Sequence, residues 1–141
     1  MKTISRFEFL RQLGFSGAAI FAGMCLHSCK DDGNNKAAAS KDFTLDLSQA
    51  AFSKLKTPGN FVIEQDVVLA CTGPGTYAAV TVICSHEGQK QVSYQSASND
   101  FRCAAHGALF DAQGKGKNSL GSAGLRTYQT SLSGNALRVF S

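Results

Sequence analysis

The chain has 141 residues, 43% hydrophobic and 17% charged, with a formal net charge of +4. That length makes one domain with a modest core, and the composition is that of a folded protein rather than a disordered one. Half of the net charge sits in residues 1–28, where Lys2, Arg6 and Arg11 outnumber Glu8. No basic, aromatic-interleaved stripe follows, so nucleic acid is not an expected partner.

Residues 1–28 read as a signal peptide. After the positive start, Leu13 to Leu26 (LGFSGAAIFAGMCL) is an uncharged run, too short for the ~20 residues of a membrane span but suited to a signal-peptide core. Its Gly and Ala content gives it no amphipathic face to dock on a domain. Leu26-His27-Ser28-Cys29 resembles a bacterial lipobox. That resemblance implies cleavage before Cys29 and acylation of its sulfur, leaving the protein extracytoplasmic and lipid-anchored to a bacterial membrane, at the periplasmic face or the cell surface. Each buried CH₂ of the acyl chains adds about 0.8 kcal/mol to the anchor. Ser5 to Arg11 (SRFEFLR) is similar to a twin-arginine export signal, with Phe7 where the second arginine belongs. Lys30-Asp31-Asp32 is similar to the surface-sorting tag of some bacterial lipoproteins.

Residues 29–41 comprise the lipidated cysteine and a polar, unpatterned tether, which spans about 20 Å as a flexible coil. Residues 42–141 form the domain. Phe43 to Leu47 alternates apolar and polar, as a half-buried strand does. Phe61 to Ile63 and Val67 to Ala70 flank Glu64-Gln65-Asp66 as a hairpin. Thr72-Gly73-Pro74-Gly75 marks a turn before Tyr77 to Ile83, a candidate buried strand. Leu125 to Leu132 and Ala136 to Phe140 form a second hairpin around Ser133-Gly134-Asn135. No helical period survives over a useful length. The expected fold is all-β, a small antiparallel sandwich or barrel.

Two clusters carry the chemistry: Cys84-Ser85-His86 and Cys103-Ala104-Ala105-His106-Gly107, with residues 87–102 between them. His27 leaves with the leader, so the mature chain keeps only His86 and His106, and both fall inside these clusters. Each cluster offers one thiolate and one imidazole from a short loop, beside Gly88 or Gly107, which permit tight turns. Two such loops at neighbouring strand tips can clamp a metal centre between them.

This pattern resembles the Rieske family: C-x-H, a gap of about sixteen, then C-x-x-H-G. The similarity extends to His106-Gly107-Ala108-Leu109-Phe110-Asp111, against the family's H-G-x-x-F-D, and to Gly121-Ser122-Ala123 where G-P-A is common, followed by Leu125 and Tyr128. It runs from about Phe61 to Phe140. The resemblance implies a two-loop cluster-binding subdomain holding a [2Fe–2S] cluster, with Cys84 and Cys103 on an inner iron and His86 and His106 on an outer, exposed one. Neutral imidazoles leave the oxidised centre with no net charge, whereas four thiolates would leave it at about −2, so the mixed set is the easier to reduce.

Two departures from the family's high-potential members bear on function. Gln89 and Ala105 stand where a loop-to-loop disulfide joins two cysteines. Ala108 and Phe110 stand where a serine and a tyrosine donate hydrogen bonds to the reduced cluster. These changes predict a potential near or below the lower end of the ~ −150 to +300 mV Rieske range.

The expected function is one-electron transfer by a membrane-tethered carrier, with a redox protein or membrane oxidoreductase as donor or acceptor. An alternative is a Rieske subunit of a larger quinol-oxidising or molybdenum complex. A third is a structural zinc module, since two cysteines and two histidines can close a tetrahedral site. No Ser-His-Asp triad, phosphate loop or carboxylate pair points to stand-alone catalysis. Cys71 reads as a small buried hydrophobe. Lys115 and Lys117 read as a solvated turn rather than a docking patch.

Overall fold

A computed structural model describes residues 40–141. The expected signal peptide, Cys29 and nearly all of the expected tether therefore lie outside the described residues. Nine strands account for most of the domain: β1 Asp42–Asp46, β2 Phe61–Glu64, β3 Val67–Gly73, β4 Thr76–Thr81, β5 Val92–Gln95, β6 Asp100–Cys103, β7 Leu109–Asp111, β8 Thr127–Ser133 and β9 Ala136–Phe140. Short 3₁₀ turns at Ser53–Lys56 and Ser119–Gly121 are the only helical elements among the described residues.

Every strand pairing is antiparallel. One sheet has six strands in the order β1-β9-β8-β4-β3-β2, and the other has three in the order β5-β6-β7. The larger sheet curls so that its outer strands approach: Lys41, at the root of β1, donates from Nζ to Gln65 O in the β2–β3 turn at 2.7 Å. Leu45, Leu55, Val62, Val67, Leu69, Leu137 and Val139 fill the inside of this curl.

The three-stranded sheet covers the outside of β3 and β4. Val68, Ala70, Val80 and Val82 meet Val92, Tyr94, Phe101 and Phe110 there. Both faces of β3 are thus covered, which is why Val67 to Cys71 is an unbroken apolar run rather than an alternation. Cys71 is fully buried, as expected, and its Sγ donates to Gly73 O at 3.2 Å.

The first hairpin turns on Gln65 and Asp66, both with positive φ (48° and 65°). That is the backbone of a two-residue hairpin turn whose twist matches the strands, a conformation non-glycine residues adopt at a cost. Tertiary contacts hold it: beside the Lys41 bond, Val82 N–H donates to Asp66 O at 2.9 Å and Lys90 Nζ reaches the Asp66 carboxylate at 2.9 Å. Lys41 and Lys90 thereby join the start of the domain, the barrel hairpin and the first cysteine loop.

Strands β5, β6 and β7 extend the sequence-derived picture. Each has only three or four residues, too few alternations to stand out from a loop. The second expected turn is also tighter than the sequence indicates: β3 continues through Gly73, leaving Pro74 and Gly75 as the turn.

Candidate metal centre

The two cysteine loops close with the same backbone bonds. In the first, Cys84 N–H donates to Gln89 O (2.8 Å) and Gly88 N–H donates to Cys84 O (2.8 Å). In the second, Cys103 N–H donates to Ala108 O (2.9 Å) and Gly107 N–H donates to Cys103 O (3.0 Å). Each loop reverses at a glycine of positive φ, 71° at Gly88 and 80° at Gly107, which is why glycine stands at both places. The loops are also tied to each other: Ala104 N–H donates to Gln91 O at 2.9 Å, and Val92 pairs with Cys103 across β5 and β6.

This geometry sorts the four side chains by depth. Cys84 and Cys103 are buried at 2% and 1% exposure, within the same apolar cluster as Ala108 and Phe110. Their thiols lie close enough to interact. Burial pushes the Cys84 thiol pKa up and the nearby Cys103 adds to that, while backbone N–H groups of His86 and Glu87 aimed at the sulfur act the other way. His86 and His106 are exposed, with ring centroids 5.3 Å apart and planes at 78°. The two cysteines thus share one buried apolar cluster, and the two histidines lie side by side at the exposed tips of the same two loops.

Residues 44–129, more than half of the chain, match the Rieske [2Fe-2S] domain family. The chain belongs to that family. Among solved structures, the plasma-membrane Rieske protein of the cyanobacterium Synechocystis PCC 6803 is similar, at 32% identity and a TM-score of 0.54, over 64% of this chain and 95% of that one. The ferredoxin of carbazole 1,9a-dioxygenase from Nocardioides aromaticivorans IC177 shares the fold at 21% identity and a TM-score of 0.52, over 59% of this chain and 86% of that one. Comparison with curated proteins finds no match.

The Rieske cofactor is a [2Fe–2S] cluster, and the donor types fit it: two buried thiols and two exposed, neighbouring imidazoles are the soft and borderline groups that would hold such a cluster. The structural zinc reading gives way to the cluster on family membership.

Three residues of the site escape sequence reasoning. Glu87 brings Oε2 to 3.4 Å from His106 Nδ1, and with His86 and His106 it forms a group whose donor atoms lie within 4.8 Å of one another. Its place between His86 and Gly88 is the only signal in the sequence. Asn118 lies twelve positions beyond His106, yet its side chain bonds three backbone segments around that loop. Asp100, at 5% exposure, is the one buried charged residue among those described; Lys117 Nζ binds its Oδ2 at 2.8 Å and Ser98 Oγ its Oδ1 at 2.6 Å. Burial pushes the Asp100 carboxyl pKa up, but the bonds from Lys117 and Ser98 outweigh it and hold the group below its ordinary value. Lys115 and Lys117 both lie on an exposed turn, and Lys117 is also engaged inward by this ion pair.

The places that depart from the high-potential pattern are also resolved. Gln89 is exposed, whereas Ala105 packs against the apolar cluster beneath the site. Ala108 and Phe110 are both fully buried beside the cysteines, so apolar groups stand where hydroxyl donors stand in those relatives.

Proposed function

We propose that this protein is a one-electron carrier tethered outside the cytoplasm, with Cys84 and Cys103 as ligands of the inner iron and His86 and His106 as ligands of the outer one. Electron transfer in general follows from the Rieske family; the observation supporting this ligand set is the buried thiol pair beneath the exposed imidazole pair. The bound cluster supplies a reversible ferric–ferrous step.

The chain's own residues do the rest. The thiolates anchor the buried end, and the core around Phe101 and Phe110 keeps water from it. The imidazole rings form the exposed edge through which a partner exchanges an electron. Ala108 and Phe110 donate no hydrogen bond, so the reduced, more negative state goes without that stabilisation and the midpoint falls low in the Rieske range. Such a carrier suits ferredoxin-like transfer better than quinol oxidation. Residues 1–28 act as the signal peptide, Cys29 carries the lipid, residues 30–41 form the tether and residues 42–141 form the redox domain. Among the described residues no helix is long and apolar enough to cross a membrane.

The decisive experiment is the reduced electron-paramagnetic-resonance spectrum of the purified full chain, with ¹⁵N-histidine labelling. Two histidine nitrogen couplings and an average g near about 1.9 are expected for mixed cysteine–histidine ligation. A preparation without acid-labile sulfide, or a cluster lacking nitrogen couplings, would overturn the assignment. Fatty-acid labelling that disappears in Cys29→Ser would support the anchor, and labelling that persists would remove it.

A further inference from the structure

The segment after β7 folds back on β7 itself, backbone against backbone. Lys117 N–H donates to Leu109 O at 2.8 Å, and Gly116 bridges Phe110. A Cβ on Gly116 would fall 2.1 Å from Gly121 O, and one on Gly121 would fall 2.5 Å from Leu109 O. These are backbone-to-backbone approaches that only glycine permits. Leu120, on the 3₁₀ turn, packs against the apolar cluster that contains Cys84 and Cys103.

Asn118 is the side chain that completes this arrangement. Its Nδ2 donates to Gly107 O at 2.9 Å. Its Oδ1 accepts from Leu109 N–H at 3.1 Å and from Gly121 N–H at 3.0 Å. The amide thus spans the residue directly after His106, the start of β7 and the 3₁₀ turn. Capping the turn at Gly121 is an ordinary role for asparagine. The bond to Gly107 O is something more. It fixes the carbonyl next to His106, in a loop where Ala105 stands in place of a disulfide cysteine. A half-buried side-chain amide with both ends satisfied holds backbone in one arrangement more firmly than a single bond does.

We propose that Asn118 is a positioning residue for the histidine end of the cluster, holding the His106 loop through the Gly107 carbonyl while its other end caps the 3₁₀ turn. This rests on His106 being a ligand, as proposed above. Through Asn118 the segment after β7 sets the orientation of the exposed imidazole, and a staple supplied by one amide takes over part of the loop restraint that a disulfide would give.

Two variants of the cluster-loaded full chain separate positioning from capping. Asn118→Ser is neutral and keeps an oxygen able to cap Gly121 N–H, but it is too short to bridge to the Gly107 carbonyl. Asn118→Ala removes all three bonds. The expected result is that both variants shift the midpoint and alter one of the two ¹⁵N-histidine couplings, that of His106, leaving the His86 coupling as in the wild type. If either variant instead loses its cluster while circular dichroism shows the fold retained, the positioning role is equally supported. The proposal is overturned if Asn118→Ser keeps the wild-type midpoint and both couplings, or if Asn118→Ala changes only the melting temperature. A wild-type cluster without histidine couplings would instead refute the ligand assignment, so the two failures are distinguishable.

Discussion

The curled six-stranded sheet and the two cysteine loops are held by different means. In the curl, stability comes from apolar side chains: Leu69, Leu137, Val67 and Val139 are all fully buried inside it. Around the cysteine loops, the shape is set by main-chain bonds that repeat from loop to loop, by glycines in the left-handed region, and by a few polar side chains such as Asn118 and Asp100. The first region tolerates adjustment because dispersion and hydrophobic burial are not directional. The second tolerates little, because cluster ligands must meet at fixed distances and hydrogen bonds are directional. A stable scaffold thus carries a site whose geometry is specified separately.

Substitutions can test that division. The largest effect is expected from Cys103→Ser: loss of the visible cluster spectrum and of stoichiometric iron, with the β-sheet circular dichroism of the barrel retained. Collapse of the barrel as well would show that the two regions are one cooperative unit. Next, Leu69→Ala should cost about 3 kcal/mol of unfolding free energy, in line with large-to-small core changes, while leaving the reduced spectrum unaltered. A changed spectrum would mean that the inner core also positions the loops.

Asp100 lies in β6, at the centre of the three-stranded sheet. Its folded carboxyl ionises more readily than the unfolded one. Its contribution to stability is therefore fully present above the ordinary carboxylate value of 3.8 and is lost as pH falls through the lower folded value. Asp100→Asn should cost ~1–2 kcal/mol at neutral pH, as the loss of a charge-assisted bond does, and should flatten the acid limb of the melting-temperature profile below about pH 4. An unchanged acid limb would place that titration elsewhere. The smallest effect is expected at the rim. Glu87→Gln removes a carboxylate beside His106 and should raise the midpoint by a few tens of mV, more at low salt than at high, because water and ions screen an exposed charge. A midpoint indifferent to both substitution and salt would remove Glu87 from the electrostatics of the site.

Much of this protein could be read before folding. Rare residues in the pattern Cys84-x-His86 and Cys103-x-x-His106-Gly107 carried the family and its cofactor, because a metal centre restricts ligand type and loop length together. Alternation and turn residues carried the long strands, since burial on one face imposes a period of two. Depth was another matter. Only the family resemblance set a buried Cys84 apart from an exposed His86 two residues later; composition and alternation do not, and in the fold the loop that turns at Gly88 keeps the thiol in the core and the imidazole outside. Nor does order join Asn118 to Gly107, or Lys117 to Asp100, because such contacts depend on where distant backbone segments come to rest. Short strands β5 to β7 exist only because β3 and β4 present them with an apolar face to cover. Local chemistry singled out the candidate ligands, and the packing of separate segments holds the two thiols in the core and leaves the two imidazoles at the surface.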